Sequence, residues 1–167
     1  MKYPYRPILR IPKTKTEKIF DIIGIGCFLV SILYIVLQWN HLPDQIPGHF
    51  NGKGEVDRWG SKYELFILPV IGLFILLLNT AFEKAPHMHN YPKRLNESNV
   101  EAFYLNSRKM LNAMKNLCMV FFAYLNFEMV QIGLKQKESL DPWFIPAFIV
   151  IVFIPLAIGI YKQSKIK

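Results

Sequence analysis

The chain has 167 residues, the length of one ordinary domain, and 52% of them are hydrophobic. Its formal net charge is +8 at pH 7. The cations form no stripe with interleaved aromatic residues, which argues against nucleic-acid binding. The lysines and arginines are concentrated in the segments between apolar stretches. These segments are too short to form a large soluble domain. Basic residues beside membrane spans meet anionic headgroups, so a membrane accounts for the charge better.

Four apolar stretches of about twenty residues dominate the sequence, at 19–37, 63–82, 113–134 and 143–161. A hydrocarbon core about 30 Å thick is crossed by about 20 helical residues, so each stretch is long enough to span it. The run "FILPVIGLFILLLNTAF" has no polar face to present to water, unlike the helices of a soluble bundle. The sequence therefore predicts an all-α membrane protein with four transmembrane helices.

The distribution of cations predicts the orientation of these helices. Most lysines and arginines lie in the N-terminal arm, in the connection between the second and third stretches, and in the tail. The remaining two connections contain Lys53, Arg58, Lys62, Lys135 and Lys137. The positive-inside rule then places both termini in the cytoplasm. An interfacial tryptophan belt is expected on the outer side, formed by Trp39, Trp59 and Trp143.

The predicted single membrane domain, 1–167, divides into a series of short segments. These are a basic cytoplasmic arm 1–17, span 1 at 18–39, an extracellular motif loop 40–62, span 2 at 63–82, a cytoplasmic connection 83–110, span 3 at 111–134, an outer loop 135–142, span 4 at 143–161 and a tail 162–167. The arm is expected to be extended until about Thr16 caps the first helix. Asp21 is expected in the first turn, where a carboxylate complements the helix dipole.

The extracellular loop 40–62 is too long for a passive turn. Its sequence "HFNGKGEVDRW" places a glycine-rich turn between short flanks, which predicts a small hairpin. The density of polar and turn-forming residues exceeds what a linker needs. The candidate ligand-binding or loop-structuring residues are Pro43, Asp44, Pro47, His49, Asn51, Glu55, Asp57, Trp59 and Lys62.

The cytoplasmic connection is predicted to begin outside helical structure, because Pro86 and Pro92 interrupt it. Asn96 could then cap an amphipathic helix over 97–110, and this helix is expected to lie on the membrane surface before span 3. The candidate residues of this connection are His87, His89, Asn90 and Tyr91.

Three polar residues of the third span, Asn126, Glu128 and Gln131, are candidates for an intramembrane site. An ionisable group at membrane depth is costly and by default faces the bundle or a cavity. Two interpretations of Glu128 remain open: a structural, neutral or hydrogen-bonded carboxyl, or a proton- or ligand-binding one.

The histidines are candidate metal ligands, but the predicted topology places His41 and His49 on the outer side of the membrane and His87 and His89 on the cytoplasmic side. His49 could join the loop carboxylates, although no fixed spacing such as HExxH is present. No GxSxG, P-loop or GxGxxG motif occurs either. The sequence therefore predicts no catalytic residue, no metal and no cofactor, and favours a protein that is not an enzyme.

The segment "WNHLPDQIPGHFNGKGEVDRWGSKYELFILPVIGL" resembles a bacterial membrane family called domain of unknown function 1648. The resemblance runs from Tyr34 to about Phe74, and the later "HNYP" and "NESNVEAFY" resemble longer members. The positions on the family pattern are Leu42, Pro43, Asp44, Ile46, Pro47, His49, Phe50, Asn51, Gly54, Glu55, Asp57, Trp59, Gly60 and Lys62.

The same segment is similar to the head of the SdpI-type immunity proteins. That resemblance implies a membrane protein that protects its host from a secreted peptide toxin and, in some systems, holds a transcriptional repressor at the membrane. This chain departs from those proteins in its second half, which has no recognisable SdpI C-terminal domain after Tyr91.

The expected function is an integral, multi-pass protein of a bacterial plasma membrane, of the immunity or sensing type. Its expected partners are the lipid bilayer, a secreted peptide or envelope-active ligand and a cytoplasmic regulator, with no nucleic acid. One alternative is a small transporter or channel-like subunit using Glu128, Asn126 and Gln131. A second alternative is a membrane metalloenzyme using His49 with the loop carboxylates.

Overall fold

A computed structural model describes residues 5–167, and residues 1–4 of the predicted basic arm lie outside the described residues. Residues 5–167 form four α-helices, one β-hairpin and two short 3₁₀ helices. In chain order these are α1 (Lys15–Gln38), β1 (Gln45–Phe50), β2 (Val56–Ser61), a 3₁₀ helix (Lys62–Phe66), α2 (Ile67–Lys84), a second 3₁₀ helix (Pro86–Met88), α3 (Val100–Gly133) and α4 (Phe144–Lys165).

Three of the helical segments are long and apolar enough to cross a membrane: α1, the segment Lys62–Lys84 that contains α2, and α4. Their large hydrophobic side chains are directed outward, as at Leu29, Val70 and Phe153, each more than half exposed. Outward apolar side chains of this kind fit contact with a lipid bilayer. The chain is therefore a membrane protein built mainly of helices, as the sequence predicted.

The helix α3 occupies the centre of the bundle and packs against α1, α2 and α4. It has 34 residues and is about 50 Å long. The predicted third span, 111–134, corresponds to the second part of this helix. In contrast to the other three helices, α3 buries many polar residues: Asn99 at its N-cap, then Ser107, Arg108, Asn112, Lys115, Asn116, Asn126 and Glu128.

The prediction of a separate interfacial helix over 97–110 is wrong, because α3 runs unbroken from Val100 to Gly133. The first turns of α3 bury Phe103, Tyr104 and Arg108 inside the protein. The face of the helix that carries these residues therefore cannot contact a membrane surface. The side chain of Asn96 accepts from the amide of Ser98 and forms a turn before the helix.

The start of α1 also differs from the prediction, because Thr14 and not Thr16 is its N-cap. The Thr14 amide donates to the Glu17 carboxylate at 2.8 Å, and the Glu17 amide donates to the Thr14 hydroxyl at 3.4 Å. This is a reciprocal capping box. Asp21 consequently lies beyond the first turn. Pro86, expected outside helical structure, begins a 3₁₀ turn over Pro86–Met88.

The predicted hairpin is confirmed, with β1 and β2 paired antiparallel and an irregularity around Gly48. It is fixed to the helices by one apolar cluster in which Ile46 of β1 is fully buried. The buried members of the cluster are Ile35, Leu42, Ile46, Leu65, Met129 and Val130. The hairpin is therefore part of the folded body at one end of the bundle.

Close contact between α1 and α3 depends on Gly24. A Cβ atom at this position would lie 2.5 Å from Asn116 Oδ1 and 2.9 Å from Asn116 Cα. Because the second of these atoms belongs to the backbone, a larger residue would force the two helices apart. By contrast, a Cβ at Gly26 would meet nothing within 4 Å.

We expect Gly24→Ala to lower the free energy of unfolding by about 1–3 kcal/mol, the usual cost of overpacking. Thermal unfolding of the purified protein in detergent measures this change. Gly26→Ala is the matched control and should unfold at or above the wild-type temperature, because alanine favours helix more than glycine does. Equal stability of the two variants would contradict the close packing at Gly24.

Candidate functional site

The predicted hairpin residues lie together on one end of the molecule. Pro43 and Asp44 precede β1, and Lys62 begins the 3₁₀ helix after β2. The amide of Lys62 donates to the carbonyl of Asp44 at 3.0 Å, which closes the base of the hairpin. The Lys62 ammonium lies 3.6 Å from Asp44 and 5.2 Å from the centre of the Trp39 ring. Asp44 remains open to solvent, since its side chain is 97% exposed.

The turn of the hairpin is built by Asn51 and Gly54. Asn51 Oδ1 accepts from the amides of Lys53 and Glu55 at 2.9 and 3.1 Å, and its amide group donates to the Glu55 carboxylate at 2.8 Å. Gly54 has a φ of 84°, and its carbonyl accepts from the amide of Leu140 at 2.9 Å. A side chain at Gly54 would collide with the Leu140 carbonyl. The turn is thereby attached to the loop before α4.

A histidine–carboxylate contact and an ion pair lie on the exposed face of the hairpin. His49 Nδ1 lies 2.7 Å from the Asp57 carboxylate. Arg58 reaches Glu64 at 2.7 Å and donates to the carbonyl of Gly48, also at 2.7 Å. The hydrogen bond from Arg58 to Glu64 raises the pKa of Arg58.

An apolar cavity of about 330 Å³ lies between the hairpin, the start of α2, α3 and the start of α4. His49 and Glu64 contribute ionisable groups to its lining. Its apolar walls include Phe50, Leu68, Phe121, Leu125, Met129, Leu140 and Ile145. The hairpin thus presents charged groups beside a largely apolar recess.

The predicted loop carboxylates do not converge on His49. Asp57 contacts it, whereas Glu55 is held by Asn51 and Asp44 by Lys62. Within residues 5–167, no group of three His, Cys, Asp or Glu side chains could hold a metal ion.

Glu128 of α3, predicted as an intramembrane residue, is buried and paired with a cation from the loop before α4. Lys137 Nζ lies 2.7 Å from Glu128 and 3.1 Å from Asp141. Burial disfavours the charge on Lys137, but the hydrogen bonds to the two carboxylates outweigh it and raise the pKa of Lys137. Asn126 has a different partner and donates to the Ser31 hydroxyl at 3.3 Å. The three polar residues predicted as one intramembrane site therefore do not meet at a common contact.

The predicted residues of the connection are packed against the start of α3. His89 Nδ1 lies 2.7 Å from the Ser107 hydroxyl, and its Nε2 lies 3.1 Å from the carbonyl of Phe82. Burial lowers the pKa of His89. The Tyr91 hydroxyl donates to the carbonyl of Pro86, and burial raises the pKa of Tyr91 to about 12.

The other two residues of this connection are more open. Arg6 donates to the backbone carbonyls of His87 and His89 at 3.4 and 2.9 Å, which ties the N-terminal arm to the connection. Asn90 is exposed. The four predicted residues therefore lie side by side, but their polar contacts hold the connection and the arm in place.

Two deeply buried charges, Lys115 and Glu83, belong to a cluster that sequence reasoning missed. Lys115 Nζ of α3 lies 2.7 Å from Glu83 of α2 and 2.9 Å from Asp21 of α1. Lys13 of the arm completes it, 2.6 Å from Asp21 and 2.7 Å from Glu83. The side chains of Lys115 and Glu83 are 1% and 0% exposed. We call Lys13, Asp21, Glu83 and Lys115 the charge cluster.

Asparagines of α3 support the charge cluster. Asn112 and Asn116 donate to the Asp21 carboxylate at 2.8 and 2.9 Å. Burial disfavours the charge on Lys13, but its hydrogen bonds to Asp21 and Glu83 prevail and raise the pKa of Lys13. Two acids and two bases in mutual contact give the cluster no net charge, which is how buried charges are tolerated.

A second buried pair lies beside the charge cluster. Arg108 Nε donates to the Glu17 carboxylate at 2.8 Å, and its other nitrogens donate to the carbonyls of Ile11 and Pro12. Glu17 therefore caps α1 and holds α3 with the same carboxylate. The two sites together bind the arm to the bundle.

The sequence did contain a signal for these contacts. Glu17 and Asp21 are four residues apart, and Arg108, Asn112 and Lys115 recur at helical spacing, so each set lies on one helix face. Counting the cations of this region only for the positive-inside rule leaves the partners of Arg108 and Lys115 unassigned.

Residues 26–73 match the family described as Domain of unknown function (DUF1648). The chain contains a DUF1648 domain. This confirms the resemblance drawn from the hairpin residues. The matched residues cover most of α1, the whole hairpin, the following 3₁₀ helix and the start of α2.

A relative from Archaeoglobus fulgidus, described as an uncharacterized protein, is 34% identical over 102 residues. The alignment covers 59% of this chain and 54% of the relative, so the chain spans about half the length of the protein it matches. No solved structure matches the chain.

The four residues of the charge cluster all lie outside the DUF1648 match at 26–73. The hairpin lies inside the match, whereas the cavity beside it is lined by residues from inside and from outside the match. The DUF1648 match therefore contributes the hairpin to one end of the molecule, where the second half of α3 and the start of α4 complete the cavity, while the charge cluster lies at the other end.

We expect Lys115→Gln to lower the free energy of unfolding by about 3–5 kcal/mol, because it leaves Asp21 and Glu83 with a single cation, the partly exposed Lys13. Adding Glu83→Gln should recover most of this loss, since the double variant restores neutrality. A double-mutant cycle measured by thermal unfolding in detergent gives the coupling.

Lys84→Gln is the control, because it removes an exposed lysine next to Glu83. If Lys115→Gln is no less stable than Lys84→Gln, the charge cluster does not stabilise the fold.

Proposed function

We propose that this protein is an integral plasma-membrane protein of the sensing or immunity type, whose hairpin face binds a peptide toxin or another envelope-active compound. It crosses the bilayer four times with both termini in the cytoplasm, and α3 provides the third span. The apolar exterior of α1, α2 and α4 supports membrane insertion. A binding role without catalysis, in a bacterial envelope, belongs to the same proposal.

The observation that carries this proposal is the rigid attachment of a charged hairpin beside an apolar recess. Ile46 anchors the hairpin in the core, and the Gly54–Leu140 hydrogen bond anchors its turn. Binding to a preorganised surface avoids the cost of ordering a loop. A passive connection between two spans would require neither contact.

The chemistry of this face suits an amphipathic, cationic peptide. Asp44 and Asp57 offer exposed carboxylates, and Trp59 is 50% exposed. The recess can accept an apolar side chain, while the carboxylates and the aromatic ring can hold a neighbouring cation. Aromatic residues and apolar pockets contribute much of the affinity of protein interfaces.

A cytoplasmic regulator would meet the arm and the connection, on the opposite end of the bundle. Arg6 holds the connection, and Lys13 joins the arm to the charge cluster. Anything that engaged the arm would compete with these contacts. The resemblance to immunity proteins that hold a repressor supports a partner on this side.

Transport through the bundle is a second candidate function, favoured by buried amide oxygens. Asn112 Oδ1, Asn116 Oδ1, Asn126 Oδ1 and Gln131 Oε1 are buried, and none has a hydrogen-bond partner among residues 5–167. They lie along α3 from the charge cluster to just past Glu128. Buried acceptors of this kind can line a path for protons or small cations.

Cysteine labelling of intact cells tests the topology. In a Cys27→Ala, Cys118→Ala background, a membrane-impermeant maleimide should modify Gly52→Cys in the hairpin turn. It should modify Glu97→Cys in the connection only after permeabilisation, because the bilayer shields that side. Both positions are exposed and therefore comparable. Labelling of Glu97→Cys on intact cells with protection of Gly52→Cys would reverse the assigned orientation.

Survival against a panel of envelope-active peptides tests the function. Replacing Asp44, His49 and Asp57 together with Asn, Gln and Asn should weaken protection by about tenfold or more, which corresponds to about 1.4 kcal/mol of binding free energy. The matched control replaces His87, Glu97 and Glu101 with glutamines at the opposite end and should protect like the wild type.

The same assay separates the two candidate functions. Glu128→Gln should leave protection intact if the hairpin is the binding site. Loss of function in Glu128→Gln alone, with the hairpin variant still active, would favour transport.

A further inference from the structure

A long groove runs along the lipid-facing side of the protein, between α1 and α4, with α3 as its floor. Its volume is about 770 Å³, and its lining is almost entirely apolar. Phe20 and Ile23 of α1 form one wall, and Ile151 and Ile158 of α4 form the other. The groove is open because α4 packs on α3 and is little buried otherwise.

The charged residues that line the groove are two lysines. Lys109 of α3 and Lys162 of α4 are both exposed, and neither forms an ion pair within the part of the chain that the structure describes. They flank the contact in which Asn106 donates to the carbonyl of Gly159 at 2.9 Å. The groove therefore combines an apolar body with two cations, one on either side of this contact.

We propose that this groove binds one anionic phospholipid, with its acyl chains against α1, α3 and α4 and its phosphate held by Lys109 and Lys162. The charge favours this occupant over an uncharged helix, because two lysines without an ion-pair partner among residues 5–167 line one groove. The groove is open along its side, so it can hold part of a phospholipid while the rest extends into the bilayer. Near the membrane surface, basic residues are expected to pair with anionic headgroups.

The site lies away from the hairpin and does not depend on the proposed ligand. It is open to the side of the bundle, so a phospholipid could enter from the bilayer. The bound lipid would fill the gap between α1 and α4 and join two helices that contact each other little without it.

Native mass spectrometry of the full-length protein tests this proposal. The protein is released from nanodiscs containing phosphatidylglycerol and phosphatidylcholine with identical acyl chains. We expect one phosphatidylglycerol to be retained in preference to phosphatidylcholine. The double variant Lys109→Gln, Lys162→Gln should bind it more weakly by on the order of tenfold. The control Lys84→Gln, Lys93→Gln removes two other exposed lysines and should bind like the wild type.

Further measurements distinguish the proposed phospholipid from other occupants of the groove. Glycerol phosphate, which carries the anionic group without acyl chains, should not displace the lipid, and displacement would overturn the role of the groove. Equal retention of both lipids, or an unchanged double variant, would show that the lysines do not recognise a headgroup. A dimer of this chain that excludes phosphatidylglycerol would assign the groove to a second copy.

Discussion

The fold depends on neutralising the charges that α3 carries into the bundle. Lys115 is buried between α1 and α2, where an unpaired ammonium would cost several kcal/mol. Asp21 and Glu83 neutralise the charge of Lys115 only if α1 and α2 pack against α3 with both carboxylates level with Lys115. Because charge pairing is directional whereas apolar contact between helices in lipid is not, this cluster fixes the register of three helices. Lys13 extends the same constraint to the arm.

The two ends of the bundle are stabilised in different ways. At the hairpin end, Ile35, Ile46 and Val130 form a small apolar core of the kind found in soluble domains. At the other end, ion pairs and asparagines hold the arm and the helices together. The DUF1648 match covers Ile35 and Ile46 of the apolar end and stops before Glu83. Val130 of α3 lies outside the match, so the matched residues complete this core only together with α3.

Hydropathy and turn chemistry predict four spans and the hairpin; the hairpin and three helices long and apolar enough to cross a membrane are present, and the remaining predicted span falls within α3. The turn was predictable because Asn51 and Gly54 act within a few residues of each other. The charge cluster was not, since it joins residues 13, 21, 83 and 115, whose meeting depends on how the helices pack. One local error contributed: residues 100–133 contain no proline, and no glycine before the last position, so nothing in the sequence required a break near 110.

The unbroken α3 gives the proposed sensing function a physical route through the protein. Met129 and Val130 pack beneath the hairpin, and Lys115, about four turns away on the same helix, holds the arm through its shared partners. A ligand that shifts α3 at one end acts on a single rigid element that reaches the other. Coupling of this kind is reciprocal, so a partner that draws the arm away must change ligand affinity by the same factor. Two shorter helices with a flexible joint at 110 would not transmit such a shift, which makes the continuity of α3 the feature on which signalling across the bilayer would depend.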